Sequence, residues 1–458
     1  MAARGAAPDV RRRMAELPFR EVYEVGGSLR DELLGRTPKD VDFLVRGHAV
    51  EELLTLCRQT AKAEELRVAG RLVGVRFWPS WGPREGIEIV PPRREEPILP
   101  GEAGYTGNPH TDFRIEPDAE LPVRDDLERR DFTVNAMARD VRSGEWIDPF
   151  GGRDDLGAGV LRAVHETAFR DDPLRILRGL ARCSIDGLQP DAATRGLMTA
   201  AAPRIAELSA ERVREELDRL LSGAGAVGSL RVARELGALA VALPEWAICI
   251  GWDQHSATQA YTLDEHILHA LEAAVSDGAG REQRLAALWH DVGKPHAPGA
   301  REHAEAGAAI TRAALRRLTY DNDTIAKVTT LVREHSYGED RDPTALSARE
   351  FLARVGREHA LDLLALRRWD RIARGVEIPV ERVAARERFE QLVQAEWDQP
   401  VELGDLAVRG DDLIASGVIE GPAIGAALRR LLAAVVADPS LNERETLLGL
   451  AIAPESID

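Results

Sequence analysis

The chain predicts an α+β fold, with a mixed sheet and its helices in the first part and helices alone in the remainder. Two observations predict it. Short apolar runs that alternate with period two, such as YEV at 23–25 and GIEIV at 86–90, lie in the first part, and that period belongs to half-buried strands. After Phe169 the composition turns to Ala, Leu, Arg and Glu in helical spacing, which places the main domain change near Arg153. At 458 residues with 44% hydrophobic content, the chain is long enough for two to four domains with ample cores.

The stretch 23–45, YEVGGSLRDELLGRTPKDVDFLV, organises the rest. It reads as an apolar strand, a tight turn at Gly26 and Gly27, a short helix opened by Ser28, and a second strand carrying Asp40 and Asp42. Carboxylates one residue apart on a strand share a face. Their oxygens suit Mg²⁺, which keeps several waters and shares its shell with substrate phosphates. Paired glycines let the backbone approach a ligand, and the helix start offers N–H groups to anionic oxygen. Arg30, one turn in, can reach a phosphate. Together these predict a nucleoside triphosphate site for in-line phosphoryl transfer, one metal serving the attacking oxygen and a second the leaving pyrophosphate.

Residues 49–60 read as a helix and 66–78 as one or two strands broken at Gly70. The strand at 86–90 offers Glu88 as a third carboxylate. From 91 to 126 Pro, Gly, Asp, Glu and Arg dominate, which predicts a long loop. In LERRDFTVNAMAR, 127–139, Arg129 and Arg130 precede Asp131, an apolar run and Asn135, a set with donors for phosphate and ribose oxygens. WIDPFGGRDD at 146–155 reads as a strand end and turn, 161–164 as a short strand. A long helix then begins in 169–183, with Pro173 in its first turn, where proline is tolerated, and Arg175, Arg178 and Arg182 on one face.

A helix at 211–221 leads to a Gly- and Ala-rich joint at 222–228. A histidine-bearing unit follows, with His266, His290 and Asp291, His303, and His335; the residues from 378 to 458 read as helices without a chemical motif. Cys57, Cys183 and Cys249 fit no metal or disulfide spacing, which predicts buried thiols in a reducing compartment. No apolar run reaches membrane-spanning length, and the first residues lack the apolar centre of a secretory signal, so the expectation is a cytoplasmic protein. A net charge of −17 excludes a protein that coats nucleic acid nonspecifically, though not one with a local basic stripe.

Taken in order, GGSLRD, DVDF, RRDFTVNAMA, DPFGGRDDL, DDPLRILR and ERVREEL resemble the bacterial tRNA nucleotidyltransferase and poly(A) polymerase family, class II of the polymerase-beta-like nucleotidyltransferases. The resemblance runs from about 22 to 221, and six motifs in order make it specific where each alone is weak. It implies a nucleotidyltransferase head at 1–153, a helical neck with a base-recognition motif at 154–228, a helical domain of HD type at 229–377 and a helical tail at 378–458. Carried over, Asp40 and Asp42 hold Mg²⁺ and are catalytic. Gly26, Gly27 and Arg30 meet the triphosphate, and Arg130, Asp131 and Asn135 meet phosphate and ribose.

In the same resemblance Asp172 and Arg175 act as an amino-acid template for the incoming base, and Arg178 joins the nucleotide site. Chemistry supports the template pair independently: cytosine N4 and adenine N6 both donate while cytosine N3 and adenine N1 both accept, so one acceptor and one donor suit either base. Residues three apart on a helix are neighbours. The chain departs from the family in having Asp171 before Asp172, where Glu is common, so the group expected to orient Arg175 is one methylene shorter. The turn at 149–152 matches a head-to-neck hinge. The long 91–126 segment implies an enzyme able to switch from C to A, hence CCA addition to tRNA 3′ ends from CTP and ATP.

The later histidines look like an HD domain, with His266, His290, Asp291 and His335, and His303 as a further candidate, for Mn²⁺, Ni²⁺ or Mg²⁺ and a phosphohydrolase activity. Arginines at Arg178, Arg182 and in LRRWDRIAR, 366–374, are expected to meet RNA phosphate. Two alternatives remain: a poly(A) polymerase of the same family, and an HD-type phosphohydrolase whose other half only binds nucleotide.

Overall fold

The computed structural model describes residues 7–38, 40–68, 70–98, 101–103, 106, 113–297, 299–336, 342–377, 379–417 and 422–452. They fall into two compact units, Met1–Ala247 and Ile248–Asp458.

The first unit opens with helix α1 (Ala7–Ala15), strand β1 (Glu21–Val25), α2 (Gly27–Leu33), β2 (Asp42–Arg46) and α3 (Val50–Thr60). Strands β3 (Lys62–Val68), β4 (Arg71–Trp78) and β5 (Ile87–Val90) follow. A hairpin of β6 (Arg93–Pro97) and β7 (Phe113–Pro117) precedes α4 (Val123–Glu128), β8 (Ala138–Asp140) and β9 (Trp146–Ile147). Seven strands form one sheet in the order β3-β4-β5-β2-β1-β8-β9, parallel between β2 and β5 and antiparallel elsewhere. Strand alternation sends Phe43 and Val45 into a core with Leu53, Phe77 and Ile89, while Leu44 packs on the other face with Val25 and Leu127. Asp42, two residues before Leu44, shares that second face.

Helix α5 (Gly152–Gly157), β10 (Val160–Leu161), α6 (Ala168–Asp171), α7 (Leu174–Asp186), β11 (Gln189–Pro190), α8 (Ala192–Ala201), α9 (Ala210–Ser222), α10 (Ala226–Glu235) and α11 (Ala238–Ala242) complete the unit. Four expectations change. The described part of 91–126 is largely structured: β6 and β7 pair from Arg93 with Pro117 to Pro97 with Phe113, the remainder lying partly outside the described residues. The helix read at 169–183 is two helices. Asp172, before proline, is extended at φ −137° and ψ 102°, as the proline ring disfavours helical backbone one residue earlier. Asp40 precedes β2 rather than lying on it, and the joint at 222–228 already contains the first turn of α10.

The second unit is helical among its described residues: α12 (Leu263–Ser276), α13 (Arg281–Trp289), α14 (Ala300–Arg317), α15 (Asn322–Glu334), α16 (Ala345–Val355), α17 (Arg357–Ile372), α18 (Val380–Ala395), α19 (Gly410–Ala415), α20 (Pro422–Ala437) and α21 (Arg444–Ile452). The last three share a core of Leu413, Leu431, Val435 and Leu447. No described helix is long and apolar enough to cross a membrane.

Candidate active site

In the first unit a cleft of about 480 Å³ is lined by Gly26, Gly27, Arg30, Asp42, Glu88, Arg130, Asp131, Asn135, Asp172, Arg175 and Arg178. The structure thus brings together residues chosen from five separate sequence motifs, while Asp40, exposed just before β2, is not among those lining the cleft. Gly26 sits at φ +79°, and a Cβ there would lie 3.0 Å from Arg130 Nη1, so the turn keeps the space beside that guanidinium open.

Asp42 pairs in register with Glu88 across the parallel strands, which puts both carboxylates on one face. Burial, then the charges of Glu88 and Asp40, push the Asp42 carboxyl up to about 6, against the opposing pull of Arg130 and Arg76. Carboxylates that repel one another this way are short of positive charge, and their oxygens suit a hard divalent cation. The donor set therefore fits Mg²⁺. Glu88 is also ion-paired with Arg76.

A continuous hydrogen-bonded run crosses the cleft. Arg30 Nη1 donates to Asn135 Oδ1 at 2.5 Å, Asn135 Nδ2 to Asp131 Oδ1 at 2.9 Å, and Arg178 Nη1 to Asp131 Oδ2 at 3.2 Å. Burial alone would raise the Asp131 carboxyl, but Arg178, Asn135 and Arg175 hold it below the usual carboxylate range. Asp131 is ionised and links α2 to α7.

Asp172 and Arg175 line the cleft without standing on one helix. Asp172 Oδ1 accepts from the Leu174 amide at 3.0 Å, and Arg175 Nη2 donates to the Arg129 carbonyl at 2.8 Å. Asp171 accepts from Thr167 within its own turn, so Arg175 is fixed by Arg129 rather than by Asp171. Arg182 is tied to Asp186 at 3.3 Å and does not line the cleft.

Sequence reasoning missed the scaffold beneath the arginines. Asp126 accepts from Arg129 Nε at 3.0 Å and Arg130 Nη2 at 3.4 Å, and Glu95 of the hairpin accepts from Arg129 Nη1 at 2.9 Å. It also missed Arg212, which lines the cleft from inside ERVREEL. Arg130 Nε, Arg175 Nη1 and Arg212 Nη1 are buried without a partner. Three unsatisfied cationic donors around one cleft are costly when empty and favour an anionic, acceptor-rich ligand.

In the second unit His266, His290 and Asp291 converge with Asp370, and Asp291 also converges with His303 and His335. All six are at least partly buried. Asp370 went unread inside LRRWDRIAR, where its neighbours are spent on ion pairs: Arg374 with Asp370 at 3.0 Å and Arg368 with Asp277 at 3.0 Å. Burial would lower the His266 imidazole, yet Asp291 and Asp370 raise it to about 9, so this cluster too is rich in negative charge.

Three family descriptions match along the chain: Poly A polymerase head domain at 22–162, RNA and SrmB-binding site of polymerase A at 187–249, and tRNA nucleotidyltransferase domain 2 at 305–451. The Multifunctional CCA protein of Xanthomonas campestris is 31% identical over 91% of this chain and 98% of its own length. That of Ectopseudomonas mendocina is 35% identical over 69% and 75%. Among solved structures, the Bacillus stearothermophilus CCA-adding enzyme in complex with CTP aligns with a TM-score of 0.63 at 23% identity, covering 97% of this chain and 95% of that one. The Thermotoga maritima CCA-adding enzyme complexed with tRNA aligns at 0.59 and 19%, covering 97% and 93%.

Proposed function

We propose residue roles for this cleft on one premise: the chain belongs to the family of CCA-adding tRNA nucleotidyltransferases. It is an enzyme that adds CCA to tRNA 3′ ends, and its partners are CTP, ATP and tRNA. A tRNA substrate supports a cytoplasmic location. The observation that carries the assignment of roles is the run from Arg30 through Asn135 and Asp131 to Arg178 in the same cleft as Asp42, Asp172 and Arg175.

In the reaction the terminal 3′-oxygen of the tRNA forms a bond to the α-phosphorus as the bond to the β-phosphate oxygen breaks, and pyrophosphate leaves with the electron pair. Gly26 and Gly27 admit the polyphosphate close to the backbone, where Arg30 and Arg130 neutralise it. Asn135 orients the ribose, held by Asp131. Asp172 accepts from the exocyclic amine of cytosine or adenine, and Arg175 Nη1, a buried donor lacking a partner, donates to the adjacent ring nitrogen. Asp40 and Asp42, with Glu88 opposite Asp42, would hold Mg²⁺, which when bound would supply positive charge that makes the 3′-hydroxyl easier to deprotonate and the pyrophosphate a better leaving group.

The experiment is extension of tRNA lacking its 3′ CCA with CTP, ATP or both, resolved to single nucleotides. Three additions, with A only after two C, support these roles. A long A tail would move the chain to poly(A) synthesis, and a stop after two C would remove the switching role of the 91–126 segment. The histidine cluster supports a second reading for the second unit: a phosphohydrolase of HD type using Mn²⁺ or Ni²⁺, whose mixed nitrogen and oxygen donors suit such ions. Water adds to phosphorus, the ester P–O bond breaks, and phosphate and an alcohol result.

A further inference from the structure

Helix α7 ends on a carboxylate. Asp186 is its last residue, followed by Gly187 at φ +74°. The carbonyls left open at a helix C-terminus carry partial negative charge, which favours cations there and works against an acid. The Asp186 side chain is also wholly shielded from solvent, and an isolated buried carboxylate is costly. Three guanidinium groups offset both penalties. Arg36 Nη1 is ion-paired with Oδ1, while Arg182 Nη1 and Arg30 Nε lie 3.3 Å and 3.4 Å from Oδ2. Arg36 Nη2 adds a bond to the Ile185 carbonyl at 3.0 Å, satisfying one of the open groups of the helix end.

Of these partners only Arg182 belongs to α7. Arg30 stands on α2, and Arg36 follows that helix, four residues before Asp40. The end of α7 therefore fastens both α2 and the segment that leads to β2. Asp31 Oδ1 holds the same Arg30 guanidinium, accepting from Nη2 at 2.8 Å and Nε at 3.2 Å. Arg30 lines the cleft and Asp186 does not.

We propose that Asp186 is a positioning residue for nucleotide addition, acting through Arg30 and Arg36 to hold the polyphosphate end of the cleft in place against α7, which presents Arg175. This rests on the phosphate role proposed for Arg30 and deepens it. Charge and geometry make opposite demands at this point. A carboxylate beside Arg30 cancels part of its attraction for phosphate, so charge alone makes removal of the carboxylate tighten polyphosphate binding. A guanidinium binds phosphate through directed, paired donors, so loss of its restraint loosens binding. With three cations sharing Asp186, the restraint is the larger effect.

The test measures inhibition of C addition by inorganic tripolyphosphate at fixed free Mg²⁺, together with KM and kcat for CTP, using the full chain. In Asp186→Asn the inhibition constant and KM should each rise about tenfold, and in Arg36→Met, which leaves Asp186 its other two arginines, about threefold. A purely structural role would lower the folded fraction, and with it kcat, without moving either constant. Where Asp186→Asn does not fold, judged by its thermal unfolding midpoint, Arg36→Met decides. Constants that stay level or fall in the folded variants would overturn the positioning role. Arg30→Gln tests the reading underneath: weaker inhibition by tripolyphosphate is expected, and unchanged inhibition would withdraw the phosphate role of Arg30 and this proposal with it. Inhibition weakened by Arg30→Gln and not by the other two variants would overturn the role of Asp186 alone.

Discussion

In the roles proposed for them, Asp42 and Arg175 meet opposite demands of one nucleotide, and each predicts a different failure. Asp42→Asn keeps the size of the side chain and removes its charge, so kcat/KM for C addition should fall about a thousandfold, corresponding to about 4 kcal/mol of lost transition-state stabilisation; a fall of less than about tenfold would take the carboxylate out of the chemistry. Arg175→Lys retains charge but loses the planar donor pair. Its preference for CTP over UTP, and for ATP over GTP, should fall together by about 10- to 100-fold in competition assays, because one side chain addresses both bases; a drop for one base alone would separate the two recognitions. Residues of this kind were legible in the sequence because their chemistry is written locally, in Gly-Gly, Asp-x-Asp and Arg-Asp. Asp370 and Arg212 were not. Each stands far along the chain from its partners, Asp370 in a run expected to meet RNA and Arg212 in a motif whose side chains were given no role, and only folding brings them to the site.

The hairpin β6–β7 and helix α4 teach the converse at the scale of elements. RREEP has no apolar residue before its proline, and FRIEP alternates only through Phe113 and Ile115, too short a run among prolines, glycines and charges to announce a hairpin. Their order comes from partners elsewhere: Glu95 grips Arg129, and Asp126 grips Arg129 and Arg130. Similarly, Asp172 could not be placed off its helix from spacing alone, although the following proline was the signal for it. Asp126 is fully buried, and although burial would raise its carboxyl, Arg129 and Arg130 hold it below the usual range. A depressed folded pKa gives stability that is present above the unfolded value of about 3.9 and is lost as pH falls below it. Asp126→Asn should therefore cost about 3–5 kcal/mol by denaturant unfolding at pH 7, and the gap from the parent should close on acidification below about pH 4. A gap that stays constant into acid would mean that the pair is not what holds α4.

At the scale of the molecule, the two sites draw on different residues in different compact units, and on different donors: carboxylate oxygens in one, imidazole nitrogens in the other. Their activities should dissociate. Asp42→Asn should leave hydrolysis of p-nitrophenyl phosphate within about twofold of the parent, and Asp291→Ala should abolish it while CCA addition continues; loss of both activities in either variant would refute independence. Within the first unit the proposed roles are not independent. The run Arg30, Asn135, Asp131, Arg178 joins the glycine turn to α7, the helix that presents Arg175. Binding at its two ends obeys reciprocity: by whatever factor a seated polyphosphate tightens the grip on the base, a fitting base tightens the grip on the polyphosphate. With the proposed roles a nucleotide would be weighed as one object, an ill-fitting base forfeiting hold on its own phosphates as well as at its edge.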